Sequence, residues 1–97
     1  LVYPSAHEGF GLPPIEAMSL GCPTITSDHV GIMEGVGSAS ATFDPNNILQ
    51  IQMVMEEYLY SNDKLKELID LGKAQSKKFS WDKCASETLD VYKKLLD

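Results

Sequence analysis

The chain has 97 residues, 43% of them hydrophobic and 23% charged, a composition typical of one globular domain. Its net charge of −6 argues against a nucleic-acid partner, because nucleic-acid-binding proteins present a basic surface. The sequence lacks any apolar run that approaches the roughly 18 residues of a membrane span.

The first half of the chain alternates between short strands and helix. Residues 1–3 are apolar and predict the end of a buried strand. Residues 12–20 place apolar side chains at helical spacing, and Gly21-Cys22-Pro23 ends that helix. Residues 23–26 are rich in β-branched side chains and predict a second strand. A strand, a helix and a strand in this order predict a βαβ unit with parallel strands, and hence an α/β fold.

The next stretch is expected to be mostly irregular. Residues 27–37 contain three glycines and predict a loop, with one helical turn at 32–34. Residues 39–43 predict a weak third strand. Asp44 and Pro45 resemble an N-cap and the first residue of a following helix.

The second half of the chain is predicted to be helical. One apolar face comprises Ile48, Ile51, Met55, Tyr58 and Leu59. A second face, on a helix opened by residues 61–63, comprises Leu65, Leu68, Ile69, Gly72 and Phe79. A last helix, capped by Ser80, carries Trp81, Cys84, Ala85, Thr88, Tyr92, Leu95 and Leu96.

The stretch over residues 7–16 carries the chemistry. Gly9 and Gly11 allow positive φ angles or close approach of a ligand, and two prolines then open a helix. The free N–H groups of a helix start, with a partial charge of roughly half an electron, favour an anion. Glu8 and Glu16 lie on either side of that helix start. The stretch follows the carboxyl end of a parallel strand, where such sheets bind ligands, so it predicts an anionic-ligand site.

The cations that a diphosphate normally requires are not found near this stretch. The sequence contains no Arg, and its first Lys is Lys64. The chain also starts at Leu1, inside an apolar run and without an initiator Met. We therefore expect the chain to be a fragment whose cations come from outside it.

Three blocks of the sequence together resemble one family. Residues 4–28, PSAHEGFGLPPIEAMSLGCPTITSD, resemble the signature of the group 1 (family 4) retaining glycosyltransferases of GT-B fold. Glu8 and Glu16 match the E-x7-E motif of that family. Residues 34–45, EGVGSASATFDP, and residues 79–96, FSWDKCASETLDVYKKLL, resemble two further blocks in the same order.

The resemblance implies a role for each site residue. Glu8 would be the catalytic residue, contacting a sugar hydroxyl or helping to position the transition state. Gly9 and the N–H groups of Phe10, Gly11 and Leu12 would meet the donor sugar and its diphosphate. Glu16 would bind the ribose hydroxyls of the nucleotide. The donor would be a nucleoside diphosphate sugar, with no metal and no other cofactor.

The resemblance also implies an architecture and a setting. The fold would be a partial Rossmann-like parallel sheet, the C-terminal portion of the nucleotide-sugar-binding domain. About residues 1–45 would be the βαβ core with the donor site, and about 46–97 a helical C-terminal part. The missing N-terminal GT-B domain would bind the acceptor, a glycan, lipid or small molecule. The protein would be cytoplasmic, alone or at the cytosolic face of a membrane, and the isolated chain would be inactive.

Several alternatives remain open from the sequence. A non-catalytic nucleotide-binding or interaction module could share this fold. Met33 and Gly35 depart from the family pattern, which leaves the geometry of residues 27–37 open. His7 is interpreted as a loop histidine rather than a general base.

Other side chains have a structural interpretation as well. Phe79 and Trp81 are expected in the core rather than on a sugar-stacking surface. Glu34 either faces the ligand crevice or caps a turn. The two cysteines, Cys22 and Cys84, are expected to be buried thiols rather than a disulfide.

Overall fold

The computed structural model describes residues 1–96 and has a parallel sheet at its centre. Its strands β1 (Val2–Tyr3), β2 (Ile25–Ser27) and β3 (Ala41–Phe43) are ordered β1-β2-β3. The helix α1 (Leu12–Ser19) connects β1 to β2, as the βαβ pattern predicts. In the register Tyr3 pairs with Thr26, and Ile25 with Ala41. The predicted α/β fold with a parallel sheet is confirmed.

The stretch predicted as a loop with one helical turn is instead the helix α2 (Val30–Val36). His29 caps its start, because Nδ1 of its ring accepts a hydrogen bond from the N–H of Gly31 at 3.2 Å. Glycine weakens a helix by about 1 kcal/mol relative to alanine, which is why the glycines indicated a loop. Gly31 and Gly35 are both buried against residues 8–10, so tertiary packing outweighs the local propensity.

Two groups of buried side chains form the core. The first group joins α1 and α2 and consists of Ile15, Met18, Ile32, Val36 and Ala39, with Tyr3, Phe10, Met33 and Phe79 packed against it. The second joins the sheet to the later helices and consists of Ile25, Ala41, Phe43 and Leu68, with Ile51, Val54, Met55 and Tyr58 against it. The first group lies under the predicted ligand site and therefore supports it.

The helix α3 (Ile48–Leu59) begins later than the sequence predicts. Asn47 is its N-cap, because its side chain accepts a hydrogen bond from the N–H of Gln50 at 3.0 Å. The predicted cap at Asp44 is wrong, since Asp44 Oδ1 accepts from the N–H of Asn46 at 2.9 Å. This local bond makes a turn that competes with helix formation, so Pro45 lies in the turn.

The helix α4 (Asn62–Ser76) packs closely against α1. A Cβ on Gly72 would lie 3.0 Å from Cγ of Met18, so glycine allows the close approach. The prediction that Phe79 extends the apolar face of α4 is wrong, because the helix ends at Ser76. Its ring instead reaches back from the following connection into the first core group.

The helix α5 (Trp81–Leu96) begins at the predicted cap, where Ser80 Oγ accepts from the N–H of Lys83 at 3.0 Å. All of its residues are exposed in the described part of the chain. Trp81 is 77% exposed, so the expected core packing of this residue is wrong. Cys84 is an exposed free thiol and Cys22 a half-buried one, so the expected burial of Cys84 is also wrong.

The helices of residues 1–96 include none that is long and apolar enough to cross a membrane.

Candidate functional site

The connection between β1 and α1, residues 4–11, leaves the carboxyl end of β1, and we call it the site loop. Its first turn is held by Ser27, whose Oγ donates a hydrogen bond to the carbonyl oxygen of Ser5. Ser27 is the last residue of β2, so the neighbouring strand fixes the loop at the carboxyl edge of the sheet. Parallel sheets bind their ligands beyond this edge.

The main chain of the site loop lies directly on α2. A Cβ on Gly31 would lie 1.9 Å from the carbonyl oxygen of Glu8, and one on Gly35 would lie 3.0 Å from that of Phe10. The two glycines are one helical turn apart, so together they leave a side-chain-free strip on α2. Only glycine at position 31 allows the loop to approach this closely.

The carboxylate of Glu8 is held by the last residue of β1. The hydroxyl of Tyr3 donates a hydrogen bond to Oε1 of Glu8. This bond, with desolvation and the nearby negative charge, raises the pKa of Tyr3 above its usual value of 10.0. Within residues 1–96 the other carboxylate oxygen of Glu8 has no donor, and it is free to meet a ligand.

The side chain of Phe10 turns into the core and anchors the far end of the site loop. Its ring packs edge-on against Phe79, with the ring centroids 5.1 Å apart and an angle of 75° between the planes. The same ring comes within 3.4 Å of the place that a Cβ on Gly35 would occupy. Because the ring is anchored, the main chain around Phe10 is held in place.

Gly11 joins the site loop to α1 with φ 81° and ψ 65°, a left-handed conformation that favours glycine. The two prolines that follow near the start of α1 have no N–H to offer. The N–H groups of Phe10, Gly11 and Leu12 donate to no acceptor within residues 1–96. The amino end of α1 thus combines free donors with the positive end of the helix dipole.

Glu16 is the fifth residue of α1 and is exposed. Its carbonyl oxygen accepts a hydrogen bond from Ser19 Oγ at 2.7 Å, while its carboxylate has no hydrogen bond or ion pair within the described residues. The carboxylate is therefore available to accept hydrogen bonds from ligand hydroxyl groups.

The positive charges of the described chain do not reach the two glutamates. The ion pairs in residues 1–96 join Lys64 to Glu57 and Lys83 to Glu87, on the later helices. This part of the chain also holds no group of three or more potential metal ligands. The groups of the site that suit a nucleotide sugar are thus its main-chain N–H donors and its carboxylates.

Two further residues weighed in the sequence lie near this region. The rings of His7 and His29 are 5.9 Å apart at an angle of 74°. The ring of His29 is used to cap α2, which gives it a structural role. Glu34 lies on α2 with its side chain exposed and does not cap that helix.

Comparison with known proteins identifies the family. The family model described as "Glycosyl transferases group 1" matches residues 1–75. The chain belongs to this family. The match takes in the sheet, the first three helices and all but the last residue of α4.

Two relatives match this chain over nearly its whole length. The chain is 42% identical over 95 residues to the O-antigen chain mannosyltransferase B of Escherichia coli, and the match covers 97% of this chain and 25% of the relative. It is 33% identical over 97 residues to the MMP alpha-(1->4)-mannosyltransferase of Mycolicibacterium hassiacum, covering 96% and 24%.

A solved structure shows the same fold. The sucrose-phosphate synthase of Thermosynechococcus elongatus is similar with a TM-score of 0.86 at 26% identity, over 98% of this chain and 25% of that one. The chain thus spans about a quarter of the length of each of these three proteins. The resemblance to the group 1 glycosyltransferases of GT-B fold is confirmed.

The predicted site residues of this group 1 chain occupy one continuous region. Glu8, Gly9, Phe10 and Gly11 lie on the site loop, and Leu12 and Glu16 lie on α1. Their roles toward a donor remain predictions, as does the division of the chain near residue 45.

The sequence alone did not reveal the contacts that hold the site loop, which involve Tyr3, Ser27, Gly31 and Gly35. The expected core packing of Phe79 is confirmed, but its contact with Phe10 was not predicted. The one available signal that a helix packs against the site loop was the spacing of Gly31 and Gly35, four residues apart in a stretch without proline. Hydrogen bonds between distant residues leave no such signal.

Proposed function

We propose that this chain is part of the nucleotide-sugar-binding domain of a retaining glycosyltransferase. The longer protein that contains it, called here the parent protein, transfers a sugar from a nucleoside diphosphate to an acceptor hydroxyl. The family supports glycosyl transfer in general, and the site supports an anionic donor. A glycan, lipid or small molecule is the acceptor, bound by an N-terminal domain outside this chain.

One observation carries the proposal. The N–H groups of Phe10, Gly11 and Leu12, which donate to no acceptor within residues 1–96, precede and open α1, in the segment that begins at Glu8 and ends at Glu16. Such donors suit a diphosphate, and carboxylates suit sugar hydroxyls. A nucleoside diphosphate sugar has both kinds of group.

The proposed mechanism uses this arrangement during departure of the nucleotide. The diphosphate gains negative charge as the bond to the sugar breaks. Donors already in place at the start of α1 stabilise that charge without reorganising. The free oxygen of Glu8 contacts the sugar at the reacting centre, and Glu16 accepts hydrogen bonds from the ribose. Hydrogen bonds to a charged group are worth about 1.5–3 kcal/mol each.

The remaining components come from the rest of the parent protein. The first 63 residues contain no Lys or Arg, so the cations that neutralise a diphosphate are supplied from outside this part of the chain. Catalysis by positioning fails when half of the cleft is absent. We therefore expect the isolated chain to be inactive, and we place the parent protein in the cytoplasm or at the cytosolic face of a membrane.

The relatives suggest which sugar to test first. Two of the named relatives are mannosyltransferases, and they share 42% and 33% of residues with this chain. We propose a mannosyl group as the transferred sugar. The nucleotide base is left to experiment, with guanosine, uridine and adenosine diphosphate mannose compared in turn.

The test measures turnover and stereochemistry in the parent protein. We expect release of nucleoside diphosphate from one of the three donors and a product with the anomeric configuration of the donor. Glu8→Gln should lower kcat, and Glu16→Ala should chiefly raise KM for the donor. Glu67→Gln is the matched control, because Glu67 is exposed on α4 and its carboxylate makes no hydrogen bond or ion pair in the described residues.

Three results would contradict the proposal. Inversion of configuration would refute the retaining mechanism, and normal turnover in Glu8→Gln would refute the role of Glu8. Binding of the nucleotide sugar without any turnover would favour the alternative, a non-catalytic nucleotide-binding module of the same fold.

A further inference from the structure

Tyr3 occupies a rigid position beneath the site loop. It is the second residue of β1, it pairs with Thr26 in the sheet, and its half-buried side chain packs against the first core group. Strand pairing fixes its main chain and the core fixes its ring. Its hydroxyl is therefore a donor whose place is set by the core and not by the loop.

This hydroxyl reaches the carboxylate of Glu8 and binds only one of its oxygens. Oε1 accepts the hydrogen bond from Tyr3, and in residues 1–96 no donor reaches Oε2. A carboxylate has about four acceptor sites on its two oxygens. One oxygen is thus anchored while the other stays available for a ligand.

The other contacts of the loop hold its main chain but not this side chain. The carbonyl oxygen of Glu8 is seated on Gly31, and Ser27 binds the carbonyl of Ser5. The Glu8 side chain still has rotatable bonds between its Cα and its carboxylate. Within the described residues the hydroxyl of Tyr3 is the donor that selects one orientation of that carboxylate.

We propose that Tyr3 is a positioning residue that orients the Glu8 carboxylate toward the reacting sugar. The inference rests on the proposed function, in which Glu8 acts at the reacting centre. Tyr3 acts by donating from a protonated phenol to one oxygen, so that the other points at the ligand. A displacement of about 1 Å at a reacting group is enough to cost roughly 100-fold in rate.

The experiment is a double-mutant cycle on the parent protein. Tyr3→Phe keeps the ring in the core and removes only the hydroxyl. We expect kcat to fall about tenfold, with KM for the donor changed less than about twofold. Tyr60→Phe is the matched control, because Tyr60 is 87% exposed and makes no side-chain hydrogen bond within residues 1–96. It should leave both constants unchanged.

The cycle separates positioning from a general structural effect. If Tyr3 acts through Glu8, adding Tyr3→Phe to Glu8→Gln should lower kcat no further. A full additional loss in the Glu8→Gln background, or an unchanged kcat in Tyr3→Phe alone, would overturn the inference. A loss confined to KM would also overturn it.

A second measurement covers the case in which Tyr3→Phe does not fold. Difluorotyrosine incorporated at position 3 keeps the ring and hydroxyl but ionises at lower pH. We expect kcat to fall as pH rises through that ionisation, because a phenolate cannot donate a hydrogen bond. The same replacement at Tyr60 is the control. An unchanged pH profile at position 3 would refute the inference.

Failure of the proposed function gives a different result. In that case the wild-type parent protein would transfer no sugar from any of the three donors. A wild-type enzyme that transfers sugar, loses turnover in Glu8→Gln and tolerates Tyr3→Phe would refute only the positioning role.

Discussion

Gly31→Ala tests whether the main chain of the site loop is seated on α2. The added Cβ would lie 1.9 Å from the carbonyl oxygen of Glu8, whereas real Cβ atoms essentially never come closer than 3.0 Å. The obstacle is a backbone atom, so either the loop or the helix must move by about 1 Å in a closely packed region. Overpacking of this kind costs about 1–3 kcal/mol.

A gain in helix propensity opposes this loss. Alanine is favoured over glycine in a helix by about 1 kcal/mol. We therefore expect a net decrease of about 0–2 kcal/mol in the free energy of unfolding, measured by urea denaturation of the 97-residue chain with circular dichroism. Gly35→Ala should be milder, because its Cβ would lie 3.0 Å from the Phe10 carbonyl oxygen.

A matched control lies on the loop side of the same contact. A Cβ on Gly9 would meet no atom of residues 1–96 within 4 Å, so Gly9→Ala should change the stability by less than about 0.5 kcal/mol. If Gly31→Ala is as stable as wild type, and the amide chemical shifts of residues 8–12 are unchanged, the site loop is not seated on α2 and the reasoning is refuted.

Three further predictions follow from the same structure. The pKa of Tyr3 should lie above the usual tyrosine value, and Glu8→Gln should lower it. The pKa is obtained from the difference between the absorbance titrations of the wild-type and Tyr3→Phe proteins. Because the folded-state pKa is raised, the contribution of this bond to stability is complete below about pH 10 and is lost as pH rises through the folded-state pKa; stability that does not depend on Tyr3 there would contradict this. Cys84 is exposed and Cys22 half-buried, so a maleimide should label Cys84 first, by peptide mass mapping; equal rates would contradict this. Removal of residues 81–97 should lower the free energy of unfolding by less than about 1 kcal/mol, because α5 buries no side chain in the described part; a larger loss on urea denaturation would contradict this.

The fold was predictable where it depends on local pattern. The helix over residues 12–20 has a glycine and a proline at its end, and the strands on either side are short and apolar or β-branched. These features act within a few residues, so the sequence alone reveals them. The start of α3 was not predictable in this way. Both Asp44 and Asn47 can cap a helix, and the side-chain bond of Asp44 to Asn46 decided between them.

The last helix shows the limit of periodicity as evidence of burial. The apolar spacing and the Ser80 cap predict α5 correctly, because both depend only on the helix itself. Burial depends in addition on a partner surface, and residues 1–96 provide none for Trp81 or Leu95, which are 77% and 78% exposed. An amphipathic pattern thus identifies the face that would pack, and leaves open where its partner lies.

The candidate site likewise has features that the sequence shows directly and contacts that it does not. Glu8, Gly11 and Glu16 are close in sequence, so their spacing around a helix start could be read directly. The contacts that give them a fixed arrangement come from Tyr3 on β1 and from the glycine strip on α2. The glycines in α2 show why the sequence did not reveal these contacts. Each glycine weakens the helix by about 1 kcal/mol relative to alanine, and packing of the site loop on the glycines compensates for that loss. A residue that looks unfavourable within its own element is therefore a useful sign that another segment of the chain packs on it.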